Sequence, residues 1–167
     1  APQRVHLLPE GRPRPPLPGP SGPVLARNMD WMPEDRLARA SALFPCPRGS
    51  AWQFSHAGWS ASLGVVSGLS AKGFGLVINA VGSPEGANPQ GYPVLLFLRH
   101  VLENADSFAA ALTLLTEQSL AASGMITLVG TQNEERVVIE RTPTRHALRW
   151  GEADQPLLTT NHYLPLF

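Results

Sequence analysis

Between Trp52 and Trp150 the spacing of apolar residues changes from a strand-like to a helix-like period and back. No other feature narrows the possible folds as much. Residues 63–69 (LGVVSGL) and 74–79 (FGLVIN) are rich in β-branched side chains and bounded by glycines, as the arms of a hairpin would be. Next, Leu95, Leu98, Val101, Leu102 and Ala105 recur at three- and four-residue steps. This is the single apolar stripe of an amphipathic helix, and Pro93 suits its first turn. A second stripe, Phe108, Ala111, Leu112 and Leu115, follows Asp106 and Ser107, either of which can cap it. The short link predicts two antiparallel helices laid across a sheet. Strands return at 125–129, 136–140 and 146–150, with 131–135 and 142–145 as hairpin turns. Glu140, at the end of one of them, reads as a solvent-facing carboxylate paired with Arg141 or Arg149. The order of strands, helix pair and strands predicts an α+β sandwich.

Upstream the pattern is weaker. Residues 1–23 hold eight of the seventeen prolines. Residues 5–8 read as a short first strand and the Pro-rich residues 9–23 as an extended loop, because proline removes the backbone donor a ladder needs. Residues 24–30 read as the next strand. Residues 34–42 read as a short helix that Pro45 and Pro47 close.

At 167 residues the chain is one domain, 1–167, large enough for a substantial core. Thirteen basic and thirteen acidic residues balance to a formal charge of zero, which argues against a nucleic-acid or anionic-membrane surface. Arg4, Arg12 and Arg14 cluster, but among prolines, as in a solvated loop. No apolar run approaches the roughly twenty residues of a membrane span, and the residues shown contain no signal peptide. The lone cysteine, Cys46, excludes an internal disulfide and fits a reducing compartment, so a cytoplasmic location is expected. It lies between two prolines with Arg48 as its one visible cation, which suits a partly buried structural thiol better than a reactive one. The histidines at 6, 56, 100, 146 and 162 show no ligand spacing, so neither metal nor cofactor is expected. No Gly-x-Ser-x-Gly elbow occurs, which weakens an internal-nucleophile hydrolase.

Chemistry concentrates elsewhere. Residues 22–31 read GPVLARNMDW, an apolar run ending in Arg27, Asn28 and Asp30. A guanidinium and a carboxylate three residues apart at a strand end can serve one reacting centre, the first stabilising an anion and the second orienting an amine. A surface ion pair is the plainer reading of these residues alone.

The segment resembles the G-x-x-x-x-R-N-x-D-W/F signature of cysteine N-terminal-nucleophile hydrolases, specifically the penicillin acyltransferase-like family, related to bile-salt hydrolases and acid ceramidase. Three further segments follow in the family's order. Residues 73–79 (GFGLVIN) resemble its strand ending in asparagine. Residues 92–105 (YPVLLFLRHVLENA) resemble its P-x-x-x-x-x-R-x-x-L-E-x-A helix. Residues 157–163 (LLTTNHY) resemble its T-x-N-H-[FY] strand. The resemblance implies a four-layer αββα sandwich of antiparallel sheets. The family continues past its Asn-His motif, so the C-terminal part of that fold is expected to lie outside this chain.

It also implies an activity: cleavage of a linear amide, or transfer of its acyl group, through a thioester on a terminal cysteine freed by self-cleavage. In the implied roles Arg27 favours the thiolate and Asp30 holds the terminal amine, while Asn161 and then Asn79 donate to the oxyanion. Trp31, Trp52, Trp59 and Phe74 are candidates to line an acyl pocket, with core packing as an equal alternative. His162 has no part in this mechanism and reads as structural. The expected partners are a small-molecule amide, a second chain or segment from the same precursor, and a further copy in a homo-oligomer.

One departure stands out. The chain begins Ala1-Pro2 where the family has cysteine, and twenty-six residues separate Ala1 from Asn28, more than is usual there. The excess fits a Pro-rich insertion. Three accounts of the missing nucleophile remain: Ala1 replaces it, it lies just before Ala1, or the chain is a homologue that keeps the fold for binding or assembly.

Overall fold

The computed structural model describes residues 22–152 and 155–164. Seven strands form one sheet in chain order: β1 (Ser41–Arg48), β2 (Ala51–Trp59), β3 (Ser67–Ser70), β4 (Phe74–Asn79), β5 (Gly124–Val129), β6 (Arg136–Arg141) and β7 (His146–Trp150). Every neighbouring pair is antiparallel. A short helix, α1 (Glu34–Ala40), precedes the sheet. The helix pair α2 (Val94–Asn104) and α3 (Phe108–Glu117) is inserted between β4 and β5. Ser107 is the residue that caps α3, its side chain accepting from the Ala110 amide at 3.2 Å.

The strand period of two sorts side chains between two faces. Phe54, Phe74, Leu76, Ile126, Leu128, Val137 and Ile139 meet the α2–α3 stripes in one core, with Phe97, Leu98, Val101, Leu102, Ala111 and Leu115 from the helices. Burying each Leu or Phe there stabilises the fold by about 1.5–3 kcal/mol. Ser67, Gly75, Val77, Asn79 and Thr127 alternate with these residues and face the other way. Over that second face lie the extended segments 22–31 and 155–164. One sheet and one helical layer of the expected four are thus present among the described residues.

Several local expectations are corrected. Residues 24–30 are extended but pair with no strand. Pro45 and Pro47 do not end the chain's regular structure; they sit within β1. That strand is at the sheet edge and pairs only with β2, so half its amides need no partner, and the register shifts between Cys46 and Pro47. The strand expected at 63–69 begins only at Ser67. Before it, the Val65 amide bonds the Leu95 carbonyl at 2.9 Å, and a Cβ on Gly64 would stand 2.5 Å from that of Leu95, so close packing on α2 displaces the ladder. Glu140 is not solvent-facing. Its exposure is 0%, because β6 is an interior strand and residues 163–164 cover its second face; Arg149 Nε stands 3.9 Å away, whereas Arg141 points to the helical side. The short strand at 5–8, the arginines at 4, 12 and 14, Ala1 and most of the Pro-rich loop lie outside the described residues.

Candidate active site

Arg27 seats the segment 22–31 on the sheet. Its Nη1 donates to Ser67 Oγ at 2.9 Å and to the Val66 carbonyl at 3.1 Å, and its Nε donates to the Asn28 carbonyl at 3.3 Å. Burial lowers its pKa and the Asp30 charge partly opposes that, while the guanidinium stays a cation throughout. Asp30 itself is exposed at the rim.

The opposing wall comes from the far end of the chain. Residues 155–164 cross the second face, fastened by Arg136 Nη1 to the Gln155 carbonyl (2.8 Å) and by Thr127 Oγ1 with Thr159 Oγ1 (3.0 Å). The Tyr163 hydroxyl donates to the Arg141 carbonyl at 2.7 Å. These ties deliver Asn161 beside the end of β4, where its Nδ2 donates to the Ala80 carbonyl at 2.7 Å. A primary amide carries two N–H donors, so one N–H of Asn161 remains for a substrate oxygen. Asn79, the last residue of β4, stands at the same place.

Arg27, Asp30, Asn79 and Asn161 line one cavity of about 330 Å³. The same four line an adjoining one of about 490 Å³, between residues 25–30 and 157–161. Behind the polar groups the smaller chamber is walled by Trp31, Trp59, Val66, Ile78, Val94 and Leu95. A fixed cation and neutral amide donors at the mouth of an apolar chamber can hold an oxygen that becomes negative while an apolar chain is buried behind it.

Of the aromatic candidates, Trp31 and Trp59 line this chamber. Trp52 and Phe74 do not line it; they line a groove on the second face with Leu43 and Leu69 that meets the cleft at Arg27. Phe74 is 1% exposed and part of the core, and Trp52 Nε1 donates to Ser55 Oγ at 2.8 Å. Ala1, the position at or beside the expected nucleophile, lies outside the described residues. His162 is exposed, its Nδ1 2.7 Å from Thr160 Oγ1, and lines neither cavity. Cys46 packs on the helical side of the sheet, and burial pushes its thiol pKa up, the opposite of an activated nucleophile. No group of three or more His, Cys, Asp or Glu that could hold a metal ion occurs among the described residues. Nor is any helix among them long and apolar enough to cross a membrane.

Sequence reasoning missed Arg27's seat, because the Val66 carbonyl is anonymous in a sequence and Ser67 is one serine among many. It also missed Val94 and Leu95. The signal for Leu95 was its place at the start of the α2 stripe, where a sheetward side chain meets the edge of the core.

Comparison with solved structures finds the Caenorhabditis elegans orthologue of N-acylethanolamine-hydrolyzing acid amidase, with a TM-score of 0.68 at 24% identity. The match covers 77% of this chain and 58% of that one, so the chain spans well under two thirds of the relative's length. The likeness shows the fold, that of the N-terminal-nucleophile hydrolases, to which the seven-stranded sheet and its helical layer conform. No curated protein matches the chain. The family model for acyl-coenzyme A:6-aminopenicillanic acid acyl-transferase matches residues 17–166, a span that contains every motif and every cleft residue described above. The chain belongs to that acyltransferase family.

Proposed function

We propose that this chain is part of a self-processing amidohydrolase or acyltransferase that cleaves a linear amide through a thioester on an N-terminal cysteine, at or just before Ala1. The observation that carries this reading is the convergence of Arg27, Asp30, Asn79 and Asn161, from three separate stretches of chain, on one cavity with an apolar chamber behind it. A surface ion pair needs no such company.

In this mechanism the cysteine's free α-amine takes the thiol proton and the sulfur attacks the amide carbonyl. Asn161 and Asn79 receive the developing oxyanion. The carbon–nitrogen bond breaks as the α-amine returns the proton to the leaving amine, and water or an acceptor amine then displaces the sulfur. Arg27 favours the thiolate and Asp30 orients the α-amine. The acyl chain occupies the chamber of about 330 Å³, which suits an N-acyl amino acid, a peptide or a lipid amide. A relative named for hydrolysing N-acylethanolamines and a family named for acyl transfer both support amide substrates. The working enzyme includes a further segment of its precursor and needs no cofactor; assembly of further copies and a cytoplasmic location complete the reading.

Thiol alkylation of the native full-length protein tests it. A working enzyme is labelled rapidly at its terminal residue and protected by an N-acyl substrate. Labelling confined to slow modification of Cys46 would show that the nucleophile is absent and leave a binding protein on this fold.

A further inference from the structure

Glu140 lines neither cavity that holds the four cleft residues and has no chemical task in the mechanism above, yet it is a carboxylate with 0% exposure. An ionised group withdrawn from water is destabilising unless its lone pairs are filled. One of their partners is a backbone amide shared between both oxygens: Leu164 N–H lies 3.0 Å from one carboxylate oxygen and 3.1 Å from the other. Arg149 Nε, 3.9 Å away, adds a cation from β7. The next residue, Arg141, points to the opposite face and donates to the Leu115 and Gln118 carbonyls at the C-terminal end of α3. The Arg141 carbonyl in turn accepts from Tyr163. The end of β6 therefore pins the helical layer on one side and the chain's last described residues on the other.

Asn161 lies three residues before Leu164. Its Nδ2 is bonded to the carbonyl of Ala80, a loop residue beyond β4. Fixing Leu164 closes this stretch at its far end and limits how far the Asn161 amide can drift from the cleft. We propose that Glu140 is the positioning residue of this site, a buried carboxylate clamp that holds residues 157–164 against the second face and so keeps Asn161 in place as oxyanion donor. The kinetic part of this proposal rests on the proposed function; the clamp does not.

The test uses the full-length protein with Glu140→Gln, which keeps one acceptor oxygen but sets an amide NH₂ beside the Leu164 N–H. Amide hydrogen exchange across 157–164 is expected to speed roughly ten- to a hundredfold, the scale of losing a charge-assisted hydrogen bond, with β4–β6 still protected. In the processed enzyme kcat is expected to fall about ten- to a hundredfold with KM within about twofold, as for a displaced donor. The double variant Glu140→Gln with Asn161→Ala should be no slower than Asn161→Ala alone, since one residue acts through the other. Unchanged exchange across 157–164, or losses that multiply in the double variant, would overturn the proposal. If Glu140→Gln does not fold, Glu140→Asp, which keeps the charge but draws it back, gives the same readouts. A wild-type chain that is neither processed nor active would reject the proposed function, while hydrogen exchange would still decide for or against the clamp.

Discussion

At the scale of single residues, Arg27 combines two tasks that only a planar fork can share. It grips Ser67 Oγ and the Val66 carbonyl through Nη1 and the Asn28 carbonyl through Nε, two arms of one plane, while holding its charge at the cleft. An ammonium is a point charge without that geometry, so Arg27→Lys should not restore what Arg27→Ala loses. Steady-state rates with an N-acyl substrate are expected to fall about a hundredfold or more for both, the scale of an active-site displacement near 1 Å. Recovery of most of the rate in the Lys variant would show that charge alone suffices. Asn161 makes the sharper prediction. Asn161→Ala removes the oxyanion donor of the proposed mechanism, so kcat should fall about 10²–10³-fold with little change in KM. A raised KM at unchanged kcat would instead make Asn161 a substrate-binding residue.

At the scale of elements, β2 carries a group whose protonation the fold opposes. His56 is 6% exposed and stacks on Phe44 with ring centroids 5.0 Å apart. Burial first, and the nearby Arg99 cation second, hold its pKa below the ordinary 6.5. The unfolded chain thus takes up a proton that the folded chain refuses. The sign follows: this contribution to stability is complete above pH 6.5 and declines as pH falls from 6.5 towards the folded value. Denaturant midpoints measured between about pH 8 and 5 should drop on the acid side, and His56→Gln should flatten that part of the slope. An unaltered slope would assign the acid sensitivity to other groups.

The elements also show what was legible in the sequence. The α2 and α3 stripes, a cap at Asp106 or Ser107 and β4 to β7 could be read directly, because period and capping are local properties; the structure chooses Ser107. The strand character of β1 could not. Proline is excluded from a ladder unless its missing N–H faces outward, and only the sheet order reveals that Pro45 and Pro47 lie on an edge. Residues 63–66 look like strand but are claimed by the contact of Gly64 and Val65 with Leu95. The burial of Glu140 depends on residues 163–164 folding back across β6, more than twenty positions later in the chain. In the cleft, Arg27, Asp30, Asn79 and Asn161 were nameable from the order of their motifs, and the structure gathers all four on one cavity. Trp52 and Phe74 were chosen for being aromatic, and that property does not say which face of a strand a ring occupies: Phe74 belongs to the core, and Trp52 lines a groove that meets the cleft at Arg27.

At the scale of the whole molecule, the sheet's helical face holds the core, with Cys46 and His56 among its neighbours, while the cleft opens over the second face at the end of β4 and its apolar chamber reaches α2 through Ile78, Val94 and Leu95. Segments from near the two ends of the described chain, 22–31 and 155–164, meet across that face, so the cleft exists only once the intervening sheet is complete. Membership of the acyltransferase family and the likeness of fold supply the frame. The central claim is that a cysteine freed by self-cleavage completes this cleft. Intact mass and N-terminal sequencing of the protein expressed from its full gene test it most directly. A mature chain whose first residue is cysteine, in place of Ala1 or immediately before it, is expected. An unprocessed chain with no cysteine at that junction would contradict it.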